Sequence, residues 1–165
     1  SNCADMLAGL WAKSYDHASE YRREILKADF FRNIDTYLGR NSSVLLAKIG
    51  DAVVGFCLFM HDGKSLEWVF CGLDYEYNEK CCVYFAMLYK LVELAIESGF
   101  EEVNLGITTI VPKLDVGAVV TPLHMYMKHR NPLLGGIVPR LFDLMTPQVK
   151  AAPRHVFREK SDPTP

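Results

Sequence analysis

The run from Ser65 to Gly106, SLEWVFCGLDYEYNEKCCVYFAMLYKLVELAIESGFEEVNLG, constrains this chain more than any other. It reads as strand, turn, long helix, strand. Leu66, Trp68 and Phe70, with Val69 and Cys71, make a β-prone apolar run that Gly72 stops. Tyr84, Met87, Leu88, Leu91, Val92, Ala95 and Ile96 then recur at offsets 3, 4, 7, 8, 11 and 12, the period of one helix face. Gly99 follows, where a helix commonly finishes on a left-handed residue. Val103-Asn104-Leu105-Gly106 resumes a strand. Two strands joined by a helical crossover are expected to lie parallel in one sheet, with the turn after the first strand facing a cleft. A site is therefore expected between Cys71 and Cys82.

The chain before this run supplies the rest of a sheet. Met6, Leu7, Leu10 and Trp11 share a face and predict a short helix over residues 4–15. Ser19 reads as the N-cap of a second helix, from Glu20 to Leu38, which Gly39 ends. From Ser43 the period changes. Val44–Ile49, the Gly50-Asp51 turn, Ala52–Met60, the Asp62-Gly63 turn and Lys64–Cys71 predict a three-strand antiparallel meander. Its nearly all-apolar centre implies that both faces are covered by helices. After Gly106, Pro112 limits the chain to a loop or a very short helix. Val119–Lys128 predicts an edge strand interrupted by Pro122, and Leu134–Met145 a last short helix. Residues 146–165 hold four of the eight prolines and read as a flexible tail. The expected fold class is thus α/β (α+β), a mixed sheet built from an antiparallel meander and a β-α-β crossover. One domain is expected over residues 1–145.

Composition narrows the function classes. Half of the 165 residues are hydrophobic and 23% are charged, which argues for a packed core. The net charge is -2 and the basic residues form no stripe, so no nucleic-acid partner is expected. No apolar run reaches the roughly 18 residues of a membrane span, and residues 1–20 lack a continuous apolar segment, so no secretory leader is expected there. Five cysteines (Cys3, Cys57, Cys71, Cys81 and Cys82) show neither CxxC nor zinc-like spacing, so no metal site is expected. An odd number of thiols fits a reducing, cytoplasmic setting.

This order of elements resembles the GNAT N-acetyltransferase fold, with the nearest look to its FemA/FemB-like branch. The resemblance rests on several segments. Ala47-Lys48-Ile49-Gly50-Asp51-Ala52-Val53-Val54-Gly55 is similar to the family's second and third strands with their hairpin. Gly72-Leu73-Asp74-Tyr75 resembles the end of its fourth strand, and Glu93-Leu94-Ala95-Ile96-Glu97-Ser98-Gly99 the end of its central helix. Asn104-Leu105-Gly106 and the stretch from Pro112-Lys113 to Gly117-Ala118 resemble its fifth strand and the segment after it. The likeness covers roughly residues 20–130, and it departs from the family twice. The family's first strand has no match, which suggests one half of a longer protein or a strand taken from a partner. The glycine-rich loop that cradles the CoA pyrophosphate is matched by Tyr77-Asn78-Glu79-Lys80-Cys81-Cys82, with no glycine.

The resemblance implies acyl-CoA as co-substrate and a small-molecule amine as acceptor, joined by direct attack without metal. It implies that the backbone of Phe70, Cys71, Gly72 and Leu73 holds the pantetheine arm, and that Lys80, Cys81 and Cys82 lie at the phosphates. Asp74, at the expected cleft, is a candidate base or a turn aspartate that caps local N-H groups. Glu67 is the one carboxylate inside the apolar third strand. It is either a buried base of raised pKa or a solvent-facing strand residue. By resemblance, Tyr126 is a candidate acid beside the departing sulfur, or a half-buried strand tyrosine. Lys113 matches a lysine of the relatives and is expected to bind an anionic group, or to be an ordinary surface lysine. Tyr75 is expected to line the cleft and touch substrate. Two rivals stand beside this reading. One is an aminoacyl-tRNA-dependent transferase of the FemA/FemB type, which alone would involve nucleic acid. The other is a degenerate, non-catalytic domain of the same fold. A second domain or a homodimer fits the missing strand.

Overall fold

The computed structural model describes residues 2–18 and 24–124, together with positions 126, 130, 141, 154 and 156. The chain divides into two compact units, residues 1–108 and 109–165. The first unit runs α1 (Asn2–His17), α2 (Ala28–Leu38), β1 (Ser42–Ile49), β2 (Ala52–His61), β3 (Ser65–Leu73), α3 (Tyr75–Cys81), α4 (Val83–Glu97) and β4 (Glu102–Asn104). Its sheet has the order β1-β2-β3-β4. The three meander strands are antiparallel, and β4 joins β3 in parallel across the helical crossover. The mixed sheet expected from the residues is therefore present.

Both faces of the sheet are covered. On one, Leu7 and Leu10 of α1 and Phe31 of α2 pack with Phe56 and Leu58 of β2. Phe70 of β3 meets Trp11 edge-on at 5.1 Å and Phe30 at 5.6 Å, so its ring is clasped between the two helices. On the other face lies α4, whose Met87, Leu88, Leu91 and Ala95 are buried. Each fully buried leucine contributes roughly 1.5–3 kcal/mol. Ile96, grouped with that face by its spacing, points outward and is exposed. The helix ends as its glycine predicts. Gly99 sits at φ 74, its N-H donates to the Ile96 carbonyl at 3.1 Å, and the Phe100 N-H donates to the Ala95 carbonyl at 3.0 Å.

Three expectations need correction. The second helix begins at Ala28, not at Glu20. Residues 24–27 are not helical, Lys27 is extended (φ -91, ψ 166), and Leu26 is buried in the core cluster. Burial of that leucine outweighs the helical period upstream of it; residues 19–23 lie outside the described ones. The expected edge strand over Val119–Lys128 is absent over 119–124, where Val119, Val120 and Leu123 are exposed around Pro122. Apolar side chains with nothing to cover them give a strand no stabilisation, and proline removes a ladder donor. Finally, the stretch read as a turn between the third strand and the long helix carries a short helix of its own, α3, ahead of α4. The helix expected over Leu134–Met145 falls outside the described residues except for Leu141.

The second unit contains α5 (Ile110–Asp115), the short helix that Pro112 permits in its first turn. Arg154 pairs with Asp115 within that unit. Among the described residues no helix is long and apolar enough to cross a membrane.

Candidate functional site

The site is made by strand divergence. β4 accompanies β3 only over Ser65, Leu66 and Glu67, opposite Glu102, Val103 and Asn104. There β4 stops: the Asn104 Oδ1 accepts the Gly106 N-H at 2.9 Å and turns the chain away. β3 continues from Trp68 to Leu73. A β-bulge sits just past the divergence, where the β2 partner steps from Phe59↔Trp68 to Leu58↔Phe70 and skips Val69. The extra residue resets the alternation of side chains. Trp68, Cys71 and Leu73 thereby share the α4 face. The Trp68 and Tyr84 rings lie 5.5 Å apart, and Leu73 lies beside Val83 and Met87 around Gly55. Phe70 and Gly72 face α1 and α2 instead. A Cβ on Gly72 would lie 2.2 Å from the Phe56 ring and 3.0 Å from the Leu10 backbone, so only glycine fits there.

At its end β3 turns into a polar cluster built from α1. The Asp74 N-H donates to the Val54 carbonyl of β2 at 2.8 Å. Successive N-H groups of a strand alternate in direction, so the Leu73 N-H points away from β2. There it donates to Ser14 Oγ at 2.8 Å. Lys13 pairs with Asp74. The Asp74 carboxylate also accepts the Glu76 N-H at 3.2 Å and caps α3. The hydrogen bond from Lys13 above all holds the Asp74 carboxyl below the usual carboxylate range. Tyr75 stacks on His17 with ring centroids 3.6 Å apart and 14° between planes. Burial pushes the Tyr75 hydroxyl pKa up, Cys71 adds to this, and a hydrogen bond with Ser14 opposes it.

The junction between α3 and α4 replaces a glycine-rich loop. Cys82 takes the left-handed conformation (φ 50, ψ 42) that a glycine would hold without strain. The Asn78 Oδ1 accepts the Tyr84 N-H at 2.8 Å, capping the first turn of α4 across the break. Lys80, Cys81 and Cys82 are exposed at this junction. Lys80 reaches Glu76 at 2.9 Å, and that carboxylate raises its pKa. Tyr84 is half-buried behind the junction, and burial drives its hydroxyl far above the ordinary tyrosine range.

The structure thus brings together Phe70, Cys71, Gly72, Leu73, Asp74 and Tyr75 at one end of β3, with Lys80, Cys81 and Cys82 one short helix further on. Only backbone is offered by Phe70 and Gly72. Asp74 is a cap and ion-pair partner with a depressed pKa, so it is a poor base. Glu67 is exposed, not buried. Its Oε1 accepts from Asn104 Nδ2 at 3.4 Å, and it lies six residues back along the strand from Leu73. Lys113 and Tyr126 belong to the second unit, where Lys113 is buried in α5 and Tyr126 is exposed. The reading of the residues missed Lys13, Ser14 and His17. All three sit on one side of the last turns of α1, but nothing in a single sequence ties them to residues some sixty positions away.

Comparison with known proteins agrees with this geometry. Residues 3–110 match the family described as acetyltransferase (GNAT) domain. The fold is similar to a ribosomal-protein-alanine N-acetyltransferase from Brucella melitensis biovar Abortus 2308. That match has a TM-score of 0.53 and 19% identity, covering 78% of this chain and 93% of that one. It is also similar to a Trypanosoma brucei acetyltransferase, with a TM-score of 0.51 and 16% identity over 76% of this chain and 94% of that one. A Mycobacterium tuberculosis protein named "Putative 8-amino-7-oxononanoate synthase 2" is 29% identical over 133 residues. The match takes in 76% of this chain. The chain spans only 17% of that relative's length.

Proposed function

The chain belongs to the GNAT acetyltransferase family, and on that premise we propose that it transfers an acyl group from acyl-CoA to the amine of a small molecule. The observation that carries this reading is the divergence of β3 from β4. A strand whose neighbour leaves after three residues offers backbone N-H and carbonyl groups to an extended ligand. In the proposed complex the pantetheine arm runs along Phe70, Cys71, Gly72 and Leu73, with the Leu73 N-H, held by Ser14 Oγ, not among its donors. The phosphates lie at Lys80, Cys81, Cys82 and the first turn of α4, where helix N-H groups and the positive end of the dipole favour an anion. Held there, the thioester carbonyl is presented to the acceptor in one orientation, which lowers the entropic part of the barrier. The amine attacks the carbonyl carbon, and its surplus proton leaves through water, because Lys13 keeps Asp74 a weak base.

A second reading is favoured by one observation. The Asn78 side chain already occupies the Tyr84 N-H, one of the donors a phosphate would use. A domain of this fold that has lost transfer and serves a longer protein would show the same feature. One experiment separates the two: thermal melts of the chain with acetyl-CoA, longer acyl-CoAs and free CoA. A ligand at about 100 times its dissociation constant stabilises the fold by roughly 2.7 kcal/mol. That is a rise on the order of 5–10 °C for a domain of this size. Such a rise is the expected result. No rise with any of these ligands would leave the non-catalytic reading in its place.

A further inference from the structure

Two thiols stand opposite each other across β2 and β3. The register is regular from Leu58↔Phe70 through Cys57↔Cys71 to Gly55↔Leu73. Opposed residues in an antiparallel ladder alternate between hydrogen-bonded and non-hydrogen-bonded pairs. The Asp74 N-H donates to the Val54 carbonyl at 2.8 Å, so Val54 and Asp74 are a bonded pair. The Leu73 N-H turns away to Ser14 Oγ, so Gly55 and Leu73 are not. By the same alternation Phe56 and Gly72 are bonded, and Cys57 and Cys71 are not. Non-bonded pairs are the close ones, with Cα atoms about 4.5 Å apart and side chains on one face. A disulfide spans about 4.4–6.8 Å between Cα atoms. Phe56 and Leu58 pack with α1 and α2, so both sulfurs lie on the α4 face. The two thiols differ in access. Cys57 is fully buried, and burial, with Cys71 adding to it, pushes its pKa far above the ordinary thiol range. Cys71 is half-buried and lies beyond Glu67, where β4 leaves the strand.

We propose that Cys57 and Cys71 are a redox-responsive dithiol that closes to a reversible cross-strand disulfide, with hydrogen peroxide as the oxidant. This holds whether or not the chain transfers an acyl group. Cys71, the more open thiol, attacks one peroxide oxygen. The O–O bond breaks, Cys71 becomes a sulfenic acid, and water leaves. The Cys57 sulfur then attacks the Cys71 sulfur, the S–O bond breaks, and a second water leaves. The two thiols have given up two electrons and two protons, and the peroxide has become two waters. Cys57 needs no path to solvent, because its target is already beside it. Thiol reductants reopen the bond by exchange at the Cys71 sulfur.

The test treats the full folded chain with hydrogen peroxide, blocks the remaining thiols and maps tryptic peptides without reduction. Cys57 lies in the peptide Ile49–Lys64 and Cys71 in Ser65–Lys80, so trypsin cuts between them and parts both from Cys81 and Cys82. The two peptides should appear joined, and dithiothreitol should separate them. The bond closes a loop of about 15 residues, which should raise the melting temperature by an amount on the order of 5–10 °C. Cys57→Ala tests the order of events. Its Cys71 should be trapped by dimedone as the sulfenic acid, and peroxide should not raise its melt. The wild-type peptide map decides alone if that variant fails to fold. A wild-type chain whose Cys71 ends as a dimedone adduct or sulfinic acid, with Cys57 still a thiol, overturns the proposal. Cys71 joined to Cys81 or Cys82 overturns it as well. So does a joined Cys57–Cys71 pair that melts no higher than the reduced chain, because the strands would then have been distorted to close it.

Discussion

Gly72 marks how tightly the residues under the site are fitted. A methyl group there meets the Phe56 ring at 2.2 Å, and Phe56 is itself fully buried, so neither can move cheaply. Gly72→Ala should cost about 1–3 kcal/mol, read as a lower urea midpoint. Asp74 adds a pH dependence whose sign follows from its lowered pKa. A carboxyl that ionises more easily folded than unfolded contributes stability that is complete above pH ~4. That contribution is lost as pH falls through the lowered folded value. Asp74→Asn should therefore be less stable than the wild type at neutral pH, and the gap should close as pH falls through the lowered folded value in melts taken across the acid range. The sequence placed Asp74 in the turn and Tyr75 at the cleft, because both flank a strand end. It did not supply their partners. Lys13 and Ser14 reach them from the far end of the chain, and a hydrogen bond spanning 59 residues leaves no local period to read.

The elements were legible where a local period meets a turn residue suited to it. The meander reads from its alternation and its Gly-Asp and Asp-Gly turns, and the end of α4 from Gly99. The short α3 was not, because no repeating apolar face marks its seven residues, and the left-handed position that separates it from α4 is occupied by cysteine. A left-handed side-chain residue costs roughly 1–2 kcal/mol, and glycine loses part of that gain to its freer unfolded chain. Cys82→Gly should thus stabilise by about 0.5–1 kcal/mol in denaturant melts. Asn78 is what joins the two helices. Asn78→Ala removes the cap on Tyr84 and should cost about 1 kcal/mol. Asn78→Asp should keep the cap but set a carboxylate where the phosphates are proposed to lie. It should weaken acetyl-CoA binding several-fold by calorimetry while leaving the melting temperature near that of the wild type.

At the scale of the molecule, the family match over residues 3–110 coincides with the first compact unit, residues 1–108. Its most buried side chains lie on β2, β3 and α4: Phe56, Leu58, Leu66, Leu88 and Leu91. Among the described residues, hydrogen exchange should find the slowest amides on β2 and α4 and fast ones over residues 119–124, which carry no regular structure. The sheet is also uneven in how far its strands are separated along the chain. The two hairpins join neighbours, whereas the β3–β4 ladder joins residues 37 positions apart for a gain of only three pairs. Chain closure over that span costs entropy before any pairing repays it. The meander should then assemble first and the last strand dock late, so the cleft is among the final parts to form and the first to be lost on heating. An acyl donor bound across it would act on kinetics as well as equilibrium, slowing the earliest step of unfolding.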